Sequence, residues 1–411
     1  MEIQPISALT KWVRLAVTYV EHFFRSRRTK TMKIRLLLAL IGLAIGFILP
    51  MVVGSASADG LGVSKEAFGK MPGGTTVEKY TLSNIHGMEV SIITYGGAVQ
   101  SIKVPDKNGK LDDVVLGFDH LAGYLKGNDP YFSTLIGRYA NRIAEGQFVL
   151  DGKTYQIPAN FGTSAFHGGP KGFNKQVWAA TPLRDSQWVG VELTYFSPDG
   201  EMGFPGNLAV TVRYTLNNDN ELRIDYSAVT DKDTVVNLTN TTRFNLAGVG
   251  HGTVLDQVMM INADKFTPAK GFVPTGELQD VKGTPFDFTE PTAIGARIHA
   301  DNEQLKYAGG YDLNWVLNNP GDLSALAVRV FDPKSGRTVE MYTTEPGVQI
   351  YTGQFLDGVK GKDGLTYERW GTFTLEAEHY PDSPNHANFP STELKPGEKY
   401  SQTTIYKFLP L

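Results

Sequence analysis

Beyond residue 65 the chain is dominated by stretches in which apolar and polar residues alternate with a period of two. Val189–Phe196, Leu208–Leu216 and Leu222–Ala228 each place every second side chain on one face, the pattern of a half-buried strand. Asn217-Asn218-Asp219-Asn220 joins the last two as a hairpin loop. Glu89–Val104 reads as two further strands broken by a turn or bulge at Gly96-Gly97. Long 3.6-residue periodicity is missing, so Leu116–Leu125 and Thr292–Lys306 are expected to hold only short helical turns. With 44 Gly and 22 Pro as punctuation, and no internal repeat or linker, the pattern predicts one all-β domain over residues 66–411. An antiparallel sandwich and a barrel both satisfy it.

The first 58 residues follow another logic. Leu36–Val53 is a nearly unbroken apolar run of 18 residues, preceded by Lys33 and Arg35 and followed by Ala56-Ser57-Ala58. That is the layout of a secretory signal with a small-residue cleavage site after Ala58. About 18 apolar residues can also just span a bilayer; Pro50 and the adjacent Ala-x-Ala favour cleavage, with no stable membrane insertion afterwards. Residues 1–31 are basic and precede Met32, which opens an ordinary signal peptide and is read as the true start.

Excluding residues 1–58 alters the charge balance. Without their eight basic and two acidic residues, 31 Lys/Arg face 41 Asp/Glu, a net charge of −10. A nucleic-acid surface needs clustered positive charge, so that partner class is excluded. Cysteine is absent, so an exported chain of this size must rely on its core rather than on disulfides. A bacterial periplasm or the extracellular space is the expected location. The eight His are scattered, and neither a metal-ligand cluster, a phosphate loop nor a dinucleotide fingerprint is present. Neither metal nor cofactor is therefore expected.

Three blocks carry the chemistry: GRYANRI (Gly137–Ile143), FHGGPKGF (Phe166–Phe173) and LEAEHYPDSPNHANFP (Leu375–Pro390). Supporting blocks are DVVLGFDHLAGY from Asp113, GTPFDF from Gly283, GGYDLNW from Gly309 and TTEPGVQIYTGQFLDG from Thr343. In this order and spacing they resemble the aldose 1-epimerases, also called galactose mutarotases, over essentially everything after residue 70. The resemblance implies a large antiparallel β-supersandwich with a sugar cleft on the concave face of a sheet. It also implies general acid/base ring opening of a hexose such as galactose or glucose, which interconverts the α and β anomers.

That reaction needs a carboxylate and an acid on opposite sides of the sugar, with polar groups holding its other hydroxyls. Glu376 is the expected base. Alternation puts Phe373, Leu375 and Ala377 on one strand face and Thr374, Glu376 and Glu378 on the other. Asn141 and Arg142 match the family's sugar-binding pair, and a guanidinium fork can reach two vicinal oxygens. His167 matches a histidine lying against the ring oxygen, and Gly168-Gly169 leave room for close approach. Asp312 matches an acceptor for sugar hydroxyls. Each of these alone reads as a structural turn, strand or surface residue. Trp178 and Trp315 read as sugar platforms or as core. The sequons at Asn237 and Asn240 lie in a buried strand, so no glycosylation is expected.

One strand departs from the family. Where members read roughly N-L-T-N-H-[ST]-Y-x-N-L, this chain reads NLTNTTRFNL, so Thr241 stands at the position of the usual acid histidine. His167 then becomes the candidate acid. Arg243 replaces the Tyr, and Glu378 stands where members usually have Gln. The paired changes predict an Arg243–Glu378 ion pair, with Arg243 at the cleft rim or binding an anionic sugar such as a uronate as alternatives. A hydroxyl has no pKa near neutrality, which motivates a second function: a carbohydrate-binding protein with weak or lost catalysis. A glycoside hydrolase with Glu376 opposed to Asp312 is a third.

Overall fold

The computed structural model describes residues 60–126 and 131–410; the expected signal segment lies outside them. Among the described residues no helix is long and apolar enough to cross a membrane. A nine-stranded antiparallel sheet is the largest layer. Its middle is formed by Leu208–Asn217, Glu221–Thr230, Tyr400–Pro410 and Arg337–Thr343. The hairpin expected at Asn217–Asn220 is present, with Leu216 opposite Leu222. Its inward side chains, such as Val210, Val212, Tyr214, Ile224 and Tyr226, are almost fully buried, as period-two alternation requires.

A five-stranded sheet runs from Gly62–Lys70 to Leu111–Asp113. Its strands Glu89–Ile93 and Val99–Pro105 flank the left-handed pair Gly96-Gly97, where the sequence placed the break. The first strand begins four residues before the expected domain start. Its sequence GVSKEAFGK is largely exposed and shows no clean alternation, which hid it.

A second five-stranded sheet positions the site. Its order is Gln279–Asp280, Lys265–Thr267, Asp312–Val316, Gly347–Tyr351, Glu376–Glu378. One apolar cluster unites these sheets, including Trp315, Phe286, Val348, Leu375, Phe244 and Tyr406. Helices are short, as expected: Leu121–Lys126 and Glu303–Ala308, the latter capped by Asn302 and ended by left-handed Gly309.

Candidate active site

Glu376 lies on the edge strand Glu376–Glu378, in register with Gln349, which in turn faces Asn314 on the next strand. The three side chains form a polar row across the sheet. Two residues along, Asp312 faces Tyr351, and Tyr351 N–H donates to Thr374 Oγ1. The expected strand Phe373–Glu378 is divided: Phe373–Thr374 pairs with Arg243–Phe244, while Glu376–Glu378 pairs with Gly347–Gln349. At the break Leu375 C=O accepts from Tyr406 Oη.

Asn141, Arg142, His167 and Asp312 form one hydrogen-bonded set, which among the described residues neither Glu376 nor Thr241 joins directly. Asn141 and His167 both adopt left-handed backbone, at φ 60° and 50°. They hold one another, with His167 N–H donating to Asn141 C=O at 2.8 Å and Asn141 N–H donating to His167 Nδ1 at 3.1 Å. Strained backbone at two adjoining polar residues is a common property of ligand sites. Arg142 donates from Nη1 to Asn141 Oδ1 at 2.7 Å and from Nη2 to Asp312 Oδ2 at 3.3 Å. Asp312 Oδ1 accepts from Gln349 Nε2 at 2.6 Å. Asn141 Nδ2 reaches Glu378 Oε1 at 2.8 Å.

Burial sets the protonation of these groups. Glu376 Oε1 accepts from Thr374 Oγ1 at 2.9 Å. Desolvation nonetheless pushes its carboxyl up to about 8; Thr374 and the Arg243 and Arg142 guanidinia lower it, and Asp312 raises it. Glu378, wholly buried, is pushed well above the carboxylate range by desolvation and then by Glu376. His167 is driven well below its ordinary value by desolvation, then by Arg142 and Arg243. Because its Nδ1 accepts a backbone N–H, the neutral ring carries its proton on Nε2. It is therefore a hydrogen-bond donor, not an imidazolium.

Thr241 sits between the short strands Thr239–Asn240 and Arg243–Phe244. Its Oγ1 donates to Tyr131 C=O at 2.6 Å and accepts from Thr134 N–H at 3.1 Å. The hydroxyl braces backbone and has no proton to spare for a sugar. The Arg243–Glu378 ion pair does not form among the described residues. Arg243 is buried, not at a rim, and its guanidinium lies 4.6 Å from the Phe132 ring centroid and 5.2 Å from that of Tyr351. Both rings are within cation–π range of the guanidinium. Trp178 and Trp315 are core, their indole N–H groups bound to the carbonyls of Phe173 and Phe286. Asn237 and Asn240 are buried as expected.

Two features escaped the sequence reading. Gln349 and Asn314 complete the polar row, and period-two alternation in GVQIY and YDLNW was the signal available for them. Phe161, Phe166 and Phe272 surround the Arg142 guanidinium at 5.1, 4.6 and 4.9 Å, the first two from one segment around the strand Ala165–Phe166 and the third from a distant hairpin turn. Among the described residues, Gln349 Oε1, Arg142 Nε, Glu378 Oε2 and both polar atoms of the Asn314 side chain are buried without a hydrogen-bond partner. Buried polar atoms are rarely left so. Their clustering in one patch fits a surface built to receive a polyhydroxylated ligand.

Comparison with known proteins agrees. Residues 78–407 match the family profile described as aldose 1-epimerase. The galactose mutarotase of Bos taurus is 44% identical over 349 residues, covering 84% of this chain and 98% of that protein. The aldose 1-epimerase of Escherichia coli K12 is 37% identical over 341 residues, covering 82% and 97%. Among solved structures, a galactose 1-epimerase from Lactobacillus acidophilus superposes with a TM-score of 0.75 at 28% identity, covering 85% of this chain and 99% of that one. An aldose epimerase homologue from C. elegans gives 0.73 at 29% identity, with coverage of 80% and 97%.

Proposed function

Because the chain belongs to the aldose 1-epimerase family, we propose that its cleft opens and recloses an aldose ring with Glu376 as the base. The protein is an isomerase that interconverts the α and β anomers of sugars. Relatives named for that isomerisation favour it over a binding protein without turnover, and no second carboxylic acid role for Asp312 is required.

In the reading we favour, ionised Glu376 takes the proton from the C1 hydroxyl while the C1–ring-oxygen bond breaks. C1 becomes a carbonyl, and the ring oxygen takes a proton from a water molecule, whose hydroxide is neutralised when Glu376 releases the proton it took. Rotation about C1–C2 and the reverse transfers deliver the other anomer. His167 donates through Nε2–H to the ring oxygen, stabilising its developing charge. As a neutral imidazole it is a weaker acid than imidazolium, so turnover is expected below that of a member with the usual histidine; general acid help is worth about 10²–10⁴-fold. Arg142, Asn141 and Asp312 hold the remaining hydroxyls. The observation carrying this assignment is a buried carboxyl at about 8, set beside two arginines and an unsatisfied polar patch. A base must lose its proton to act, and one titrating near neutral pH combines availability with strength.

Galactose or glucose is the proposed substrate, and the domain is proposed to follow an export segment cleaved after Ala58. Polarimetry on freshly dissolved α-D-glucose and α-D-galactose tests the activity. Faster equilibration than in buffer is expected; the spontaneous rate despite measurable sugar binding would overturn the assignment. Fractionation of the native host tests location, with recovery in the cytoplasm at full length counting against export.

A further inference from the structure

The hydroxyl at the position of the usual histidine is committed to one short segment. Thr241 Oγ1 donates to Tyr131 C=O at 2.6 Å and accepts from Thr134 N–H at 3.1 Å, while Thr241 N–H donates to Thr134 C=O at 3.1 Å. Both threonines are buried. Tyr131 carries this bracing into the site. Its ring lies 4.6 Å from the His167 imidazole and 5.2 Å from the Phe166 ring, and the Phe166 ring lies 3.7 Å from the imidazole, so the three rings pack as a triangle.

The far end of Tyr131 is tied as well. Its Oη accepts from Asn160 Nδ2 at 3.2 Å, and the same amide grips the loop that carries His167. Asn160 Nδ2 donates to Phe166 C=O at 2.9 Å, and its Oδ1 accepts from Phe166 N–H at 2.7 Å. Tyr131 is therefore held at its carbonyl by Thr241 and at its phenol by the neighbour of the His167 loop backbone.

A neutral imidazole serves as a hydrogen-bond donor in one orientation alone. Asn141 N–H occupies Nδ1 and leaves Nε2–H as the donor, and a ring turned half a revolution about Cβ–Cγ would lose both roles. One hydrogen bond restrains that turn weakly; flat rings packed against the imidazole restrain it by shape. Donors fixed in advance stabilise a developing charge without reorganising as the reaction occurs. We propose that Tyr131 is a positioning residue for His167, and that Thr241 acts on the reaction through it. The residue at the histidine's position thus pins the ring that orients the donor that remains. This rests on the epimerase reading and gives Thr241 a part in it.

The test reads mutarotation by polarimetry and the His167 tautomer by nitrogen NMR, in Tyr131→Leu, Thr241→Val, Thr241→Ser and His167→Ala. Wild-type His167 should show the Nε2–H tautomer alone and no titration between about pH 5 and 8. Tyr131→Leu should mix the tautomers and lower kcat by about 10²-fold, the effect of a displaced catalytic group. KM should stay nearly unchanged, because Arg142, Asn141 and Asp312 still hold the sugar. Thr241→Val, which loses only the hydroxyl's bonds, should lower kcat by on the order of tenfold, and Thr241→Ser should recover most of it. In His167→Ala the Thr241→Val change should have no further effect. Thr241→His does not probe the brace, since it adds an acid as it removes the hydroxyl. Unchanged kcat or a single tautomer in Tyr131→Leu, or an equal loss from Thr241→Val with and without His167, would overturn the role. If Tyr131→Leu does not fold, Thr241→Val decides by the same readings. If the wild type turns over no sugar, the epimerase reading fails by itself, and the tautomer spectra still decide whether Tyr131 orders His167.

Discussion

Glu376 carries the most direct expectation, because burial has moved its carboxyl from 4.5 to about 8. If it acts as a base, kcat/KM rises with pH up to about 8 and levels off above it; a profile that falls over this range would mean the protonated form is the working one. The same shift bears on stability. A carboxyl raised in the folded state stabilises the fold fully below 4.5, and that contribution is lost as pH rises through 8. Glu376→Gln is therefore expected to cost at least about 10²-fold in rate while gaining stability at pH 8. At about 1.4 kcal/mol per pKa unit the gain is several kcal/mol, and it vanishes near pH 4.5. Denaturant melts at the two pH values check it. Thr241→His should raise turnover, but Arg243 would hold a new imidazole neutral by charge repulsion. Adding Arg243→Tyr should therefore raise the rate further, and a double variant no faster than the single would remove Arg243 from this account. Position by position, the sequence placed a side chain well where it follows its strand's alternation, as Glu376 and Asp312 do. It misled where a long side chain chooses among neighbours: Arg243 turned to Phe132 and Tyr351, which sit far off in sequence.

Strand content was legible from alternation, and strand partners were not. Nothing in FTLEAE says that its first two residues pair with Arg243–Phe244 and its last three with Gly347–Gln349. Loop geometry was legible only through glycine. In FHGGPKGF the second residue of the block is left-handed His167, followed by Gly168 at φ 81°. A Cβ on Gly168 would meet Gly137 O at 2.0 Å, a backbone atom that cannot step aside. Gly168→Ala is thus expected to displace the His167 loop from the Asn141 segment, adding left-handed strain of about 1 kcal/mol or more. Loss of sugar affinity on titration should accompany a lowered Tm. A variant with native affinity would show that the two loops are less tightly joined than the contact implies.

At the scale of the molecule, the all-β class and the antiparallel order followed from pattern and resemblance, and the start of the domain did not. Position 66 falls inside the strand Gly62–Lys70, which pairs residue by residue with Thr76–Ser83. Just ahead of it Leu61 is 1% exposed and belongs to the main apolar cluster, and its carbonyl accepts from Arg184 Nη1 at 3.1 Å. A chain beginning at Asp59, as cleavage after Ala58 would leave it, keeps all of this. A chain beginning at Glu66 loses Leu61 and the pairs of Gly62 to Lys65 with Ser83 to Tyr80. Burial of one Leu contributes about 1.5–3 kcal/mol, and the bared strand edge adds exposed backbone. Each kcal/mol shifts Tm by about 2–4 °C in domains somewhat smaller than this one, so the shorter chain should melt several degrees lower. Both chains keep the Glu376 site, hence both should equilibrate sugar at the same rate well below Tm. Equal melting temperatures would show that the first strand is an ornament of the sheet; a lower rate in the shorter chain would show that the strand reaches the active site.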